Sequence, residues 1–337
     1  MATSLYPTRN ASELRPTNPS SVYHPRISCI LPNQRLSNTM GNQPKTNYTQ
    51  GHSPAVTSGH ASRTVNSDAA FLVPYLKPTD RILDVGCGPG TITVGLAAYV
   101  PRGSVVGIDL SADIVARAAS LLSTLVTEKK KEGEGGERAE EEKERAATEL
   151  KARVSFEVAD VLRGLAFEDA SFDVVYASQL FAHMPPPDLP ARALAEMRRV
   201  LKPGGILATR DAAAQHFFPR ALDLDVLLSR NLVRGFGRTD WAGPEMPALY
   251  RAVGFDADGG KVRVGCGTTC YADPESRRWR ADGLVGRLAE GEAVRESWIR
   301  NGVSEEEITT CVARLREWAD TPDAWYCVLQ MEIIAWK

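Results

Sequence analysis

The chain has 337 residues, enough for one enlarged domain or two ordinary ones, and its 43 % hydrophobic and 24 % charged residues are the balance of a soluble globular protein with a core. Its 40 basic and 42 acidic residues nearly cancel to a net charge of -2, so it lacks the electrostatic footprint of a dedicated nucleic-acid binder. No apolar run is long enough to cross a bilayer, and six scattered cysteines do not make a disulfide scaffold, which points to a reducing, cytoplasmic setting.

Residues 1–46 are rich in Ser, Asn, Pro and Thr, carry one acid, Glu13, and lack periodic apolar spacing, so they read as a disordered tail. Arg9, Arg15, Arg26 and Arg35 in this acid-poor stretch give a second reading, a mitochondrial transit peptide, although Pro7, Pro16, Pro19 and Pro25 interrupt any amphipathic helix there. Residues 47–337 read as one domain. A short helix is predicted over 67–76, a buried strand over 81–85 and a helix over 91–99. A second strand over 104–109 and a helix over 112–126 follow.

The run over 128–151, almost entirely Lys, Glu, Gly and Arg, offers little to bury and is expected to be a charged surface insertion. Strands are then predicted over 154–158 and 172–177. A helix through Leu194, Met197 and Val200 leads into the Lys202-Pro203-Gly204-Gly205 turn, which delivers a fifth strand over 206–209. A helical stretch to about Phe255, a strand-like 261–264, a helical cap over 274–322 and a final strand over 325–334 complete the chain. Strand–helix alternation of this kind favours a parallel α/β sheet.

The sharpest motif is Asp84-Val85-Gly86-Cys87-Gly88-Pro89-Gly90, lying between a strand and a helix. Glycines there let the backbone approach a ligand with no Cβ in the way, and such turns sit where open α/β sheets bind ligands. Asp109, ending the second strand, is placed to accept hydrogen bonds from ribose hydroxyls. The glycine spacing departs from the dinucleotide fingerprint, and a carboxylate at Asp84 would repel a pyrophosphate. Both features suit a phosphate-free nucleoside bearing an ammonium group, and S-adenosyl-L-methionine is such a molecule.

Three segments, 82–90, Gly107-Ile108-Asp109 and Arg199-Val200-Leu201-Lys202-Pro203-Gly204-Gly205, together resemble the class I S-adenosylmethionine-dependent methyltransferases. The branch most similar is that of the ubiquinone/menaquinone-biosynthesis enzymes. The resemblance implies a doubly wound, seven-stranded Rossmann-like sheet with an antiparallel C-terminal strand. It also implies transfer of a methyl group to a small-molecule acceptor: a phenol, an amine or an activated carbon of a secondary metabolite or quinone-like compound.

Residue by residue, the resemblance implies that Asp84 and the Gly86, Cys87 and Gly88 loop hold the methionine end of the cofactor. Asp109 would hold its ribose, Leu110 would lie against the adenine, Asp160 would read the adenine amino group, and Val161 would pack nearby. Ser178 and Gln179 would line the methionine side. Arg63, in a segment that closes over the cofactor in this branch, would pair with the methionine carboxylate.

Catalytic candidates follow the fourth and fifth strands. His183 is expected either to act as a general base or to cap the loop before Pro185. Arg210 and Asp211 are expected at the end of the fifth strand, orienting the substrate or pairing with each other. Phe217, Phe218, Tyr271, Trp279 and Trp298 are candidates for an apolar lid. Cys87 reads as a space-filling loop residue. Cys266 and Cys270, without a second ligand pair, do not make a metal site. Two other functions remain open on sequence alone: a non-catalytic, partner-binding regulator and an NAD(P)-dependent oxidoreductase.

Overall fold

Side chains of alternate residues on the central strands feed two separate cores. Ile82 of β1 (Arg81–Val85), Val105 of β2 (Ser104–Asp109), and Val174 and Tyr176 of β4 (Phe172–Ser178) pack on one face of the sheet. Their neighbours Leu83, Val85, Val106, Ile108, Val175 and Ala177 pack on the other. Strands covered on both sides need an unbroken apolar run, as these have. The computed structural model describes residues 59–131 and 137–337, so the expectations for residues 1–46 fall outside it.

With β3 (Val154–Val158), β5 (Leu201–Phe218), β6 (Val262–Tyr271) and β7 (Trp325–Trp336), the sheet runs in the order β3-β2-β1-β4-β5-β7-β6. Strands β1 to β5 are mutually parallel, whereas β7 is antiparallel to both β5 and β6. The seven-stranded, doubly wound sheet expected from the sequence is therefore the fold observed.

Several boundaries differ from the sequence reading. The fifth strand extends to Phe218 rather than stopping at Thr209, because β7 continues to pair with it after β4 has ended at Ser178, opposite Arg210. The strand expected over 261–264 likewise runs on to Tyr271 along β7. The helix expected over 67–76 is two short turns, Val65–Ala69 and Val73–Tyr75, with Pro74 unable to donate its backbone nitrogen to a longer helix.

The described parts of the charged run, up to Lys131 and from Glu137, are helical. Helix α1 spans Thr91–Leu96, α2 Ala112–Lys131 and α3 Glu137–Arg153. The last turns of α3 belong to the core rather than to a surface insertion, since Ala147 and Leu150, three residues apart, bury one stripe of the helix. Arg153 fastens this end by donating to the carbonyls of Ala97 and Val100 at 3.0 and 2.9 Å.

Helix α4 (Asp188–Val200) precedes β5. After β5 come α5 (Asn231–Gly235) and α6 (Met246–Ala252), and between β6 and β7 lie α7 (Pro274–Arg287), α8 (Ala293–Arg300) and α9 (Glu305–Asp320). Among the described residues no helix is long and apolar enough to cross a membrane.

Candidate functional site

The carboxyl ends of β1, β2 and β4 open into a cavity of about 360 Å³. At its floor the turn after β1 is shaped by left-handed glycines. Gly86 has φ +74°, and a Cβ there would stand 3.0 Å from Leu180 Cδ1; a Cβ on Gly90 (φ +86°) would collide with the Phe156 ring. The backbone nitrogens of Gly86 and Cys87 donate to the Ile108 carbonyl at 2.8 and 2.9 Å, binding the turn to β2. Asp109 fastens it from the other side, accepting from Gly88 N at 3.1 Å and from Ser111 N at 3.0 Å.

Every residue that the sequence assigned to the cofactor reaches this cavity wall. Asp84, Gly86, Cys87, Gly88, Asp109 and Leu110 come from the first two strand ends. Asp160, Val161, Ser178, Gln179 and Arg63 complete that side. Leu110 is 48 % exposed and offers an apolar face, whereas Val161 is buried. Asp160 turns one oxygen to Leu162 N at 2.9 Å and the other towards Arg163 at 3.4 Å. Gln179 has φ +55°, its nitrogen donates to the Arg210 carbonyl at 2.7 Å, and its side-chain amide donates to Gln330 at 2.6 Å.

Carboxylates dominate the electrostatics of this side, with Asp84 buried and Asp109 partly exposed. Asp84 is 2 % exposed and accepts from the Thr93 hydroxyl at 2.6 Å. Burial pushes its carboxyl up to about 7; the Thr93 bond opposes that, and the like charge of Asp109 adds to it. A cation placed between these acids would relieve the repulsion. Burial, followed by the charges of Asp84 and Asp109, drives the Cys87 thiol far above its ordinary range, which leaves it inert as a nucleophile. Among the described residues no cluster of His, Cys, Asp or Glu could hold a metal.

The catalytic candidates separate. His183 lines the cavity at the end of a short turn, Phe181–His183, edge-on to Phe236 with ring centres 5.1 Å apart. Burial lowers its pKa to about 4, with the Arg63 charge contributing, so the imidazole is neutral at physiological pH. Asp211 does not reach the cavity wall. Adjacent strand residues point to opposite faces, so Asp211 and Arg210 cannot pair. Fully buried, Asp211 accepts from Phe181 N at 3.0 Å and holds the turn that carries His183. Arg238 braces the same turn from the far side, donating to the Met184 carbonyl at 2.8 Å.

Arg210 reaches the cavity wall but is committed to structure. It pairs with Asp68 at 2.9 Å and Glu332 at 3.0 Å while almost wholly buried. Asp68 also attracts Arg63, 4.0 Å away, so a chain of alternating charges runs beneath the site. Of the expected lid aromatics only Tyr271 lines the cavity. Phe217 is buried on Tyr326, with centroids 4.2 Å apart, and Trp298 is buried in the helical layer against Gly235. Phe218 stacks on Trp325 at the far end of β5, and Trp279 stands behind Tyr271 at 6.1 Å.

Sequence reasoning missed the opposite wall. Arg280, Leu284 and Arg287 of α7 line it, joined by Phe236 and Trp241. The spacing i, i+4, i+7 marks one helical face and was available as a signal, but nothing in the sequence says that this face turns towards the strand ends. Thr93, the partner of Asp84, was also missed.

Residues 83–209 match the family model described as a methyltransferase domain. The probable methyltransferase ltbC of Aspergillus luteorubrus is 44 % identical over 296 residues, covering 86 % of this chain and 97 % of that one. An uncharacterized methyltransferase of Schizosaccharomyces pombe is 32 % identical over 244 residues, covering 72 % and 79 %. The 27-O-demethylrifamycin SV methyltransferase of Amycolatopsis mediterranei is 31 % identical over 157 residues, 47 % of each chain.

Proposed function

Since the chain belongs to the class I S-adenosylmethionine-dependent methyltransferases, we propose that it methylates an acidic oxygen or carbon of an aromatic small molecule. The observation that carries this reading is the pair Asp84 and Asp109 facing one cavity across an open glycine turn. That donor set fits the cofactor: buried acids suit an ammonium group, and the bare backbone from Gly86 to Gly88 suits close approach of an amino acid. No phosphate would be tolerated beside Asp84.

In this reading Asp84 and the 86–88 turn would hold the methionine end, with Ser178 and Gln179 beside it. Arg63 would pair with the methionine carboxylate. Asp109 would hold the ribose, Leu110 and Val161 would flank the adenine, and Asp160 would accept from its amino group. When bound, S-adenosylmethionine supplies an electrophilic methyl group, and the protein's task is alignment and exclusion of water.

His183 governs which acceptors suffice. A neutral imidazole whose pKa is held near 4 accepts a hydrogen bond from a hydroxyl through its unprotonated ring nitrogen but gains a proton poorly. The acceptor must therefore be acidic in its own right, as a phenol or an activated carbon is. Asp211 acts through His183 as a positioning residue, keeping the Phe181–His183 turn in place. Phe236, Trp241 and Tyr271 shield the reacting atoms from water.

The test uses cofactor labelled in its methyl group together with a small-molecule extract of the source organism. Label should appear in an aromatic compound, and Asp109→Ala should cut the transfer at limiting cofactor by roughly 100-fold. Label found only in macromolecules, or none transferred by folded protein, would contradict the reading.

A further inference from the structure

Charge is distributed unevenly around the cavity. Its acidic side chains, Asp68, Asp84, Asp109 and Asp160, all precede Val161 in the chain. From Val161 onwards the wall holds no acid but three arginines, Arg210, Arg280 and Arg287. Arg210 is neutralised by Asp68 and Glu332. Arg280 is not neutralised. Its guanidinium lies over the rings of Tyr271 and Tyr326, 5.5 and 5.3 Å from their centres, and donates to the Tyr326 hydroxyl at 3.3 Å. No carboxylate pairs with it among the described residues, and its Nε is buried with no hydrogen-bond partner.

Arg280 is half-buried without a counter-charge, and its buried Nε–H, left without an acceptor, carries a desolvation cost. Two tyrosine rings hold its guanidinium in a fixed plane at the wall of a cavity, which is the arrangement that recognises a carboxylate through paired hydrogen bonds. The neighbouring surface is aromatic, with Tyr271, Phe236 and Trp241 on the same wall.

Resting on the methyltransferase reading above, we propose that the methyl acceptor is an aromatic acid and that Arg280 receives its carboxylate. The cavity is thus bipolar. Its acidic side takes the cationic cofactor, and its arginine side takes an anionic acceptor.

The test titrates salicylate and salicylamide, which share a shape and differ in charge, into protein saturated with S-adenosylhomocysteine. Salicylate should bind about tenfold tighter or more, the worth of one charge-assisted hydrogen bond. Arg280→Met should erase that preference with S-adenosylhomocysteine affinity unchanged, and Arg280→Lys should keep part of it. Equal affinities in the unaltered chain, a preference that survives Arg280→Met, or binding of neither probe would overturn the assignment while leaving the methyltransferase reading intact. Failure of S-adenosylhomocysteine itself to bind would overturn both. Should Arg280→Met misfold, the two titrations of the unaltered chain and Arg280→Lys still decide.

Discussion

The two sides of the cavity are built from different kinds of structure and carry opposite charge. The side before Val161 is made from the ends of parallel strands and the tight turns after them, where backbone atoms line the site and acids fasten the turns. The opposite side is made from one face of α7, the turn bearing His183 and the antiparallel β6 and β7, and there a helix face supplies much of the wall. A site of the first kind is fixed by backbone geometry, so its residues are bound to their positions. A site of the second kind is set by which side chains a helix presents, so its chemistry can vary without disturbing the sheet.

Several changes would break or sharpen that contrast. The largest effect is expected for Asp109→Ala, which removes the acceptor for Gly88 N and Ser111 N as well as the proposed ribose contact. Cofactor affinity measured by titration should fall by roughly 100-fold, the worth of one or two charge-assisted hydrogen bonds. Asp84→Asn keeps the bond to Thr93 and removes only the charge, so affinity for S-adenosylmethionine should fall about tenfold or more. An unchanged affinity would show that the acidic side does not recognise a cation.

The pH dependence follows from the same groups. Burial holds Asp84 and Asp211 near 7, above the ordinary carboxyl value of 3.8. Between these values the folded chain keeps protons that the unfolded chain has released. The stability of the ligand-free protein therefore falls as pH rises through that window. The midpoint of thermal unfolding should be higher at about pH 5.5 than at about pH 8, and Asp84→Asn should flatten the difference. A midpoint that rises with pH would contradict the burial of these acids.

The smallest effects are expected away from the walls. Trp279→Ala, behind Tyr271, should change salicylate affinity by less than about threefold, the scale of a second-layer contact. A larger loss would move Trp279 into the acceptor site.

The strand-end side was legible in the sequence because short-range rules govern it. An apolar run, a glycine turn and an acid at the end of the next strand fix where Asp84, Gly86 and Asp109 must lie once the sheet is parallel. Arg210 and Asp211 were misread because the extension of β5 is decided by its pairing with β7, more than 100 residues away in the chain. Arg280 was invisible for the same reason. Its helix is amphipathic by pattern, but only long-range packing shows that Arg280, Leu284 and Arg287 face the strand ends rather than solvent. Phe217 and Trp298 show the converse, since aromatic residues at helical or strand spacing are first of all core.

The measurement that bears most directly on the central claim compares two adenosine derivatives at the acidic side of the cavity. Isothermal titration of S-adenosylhomocysteine and of adenosine diphosphate into the intact chain sets an ammonium-bearing ligand against a phosphate-bearing one. Saturable binding of S-adenosylhomocysteine with no heat from adenosine diphosphate is the predicted result; comparable binding of both, or preference for the diphosphate, would contradict the account.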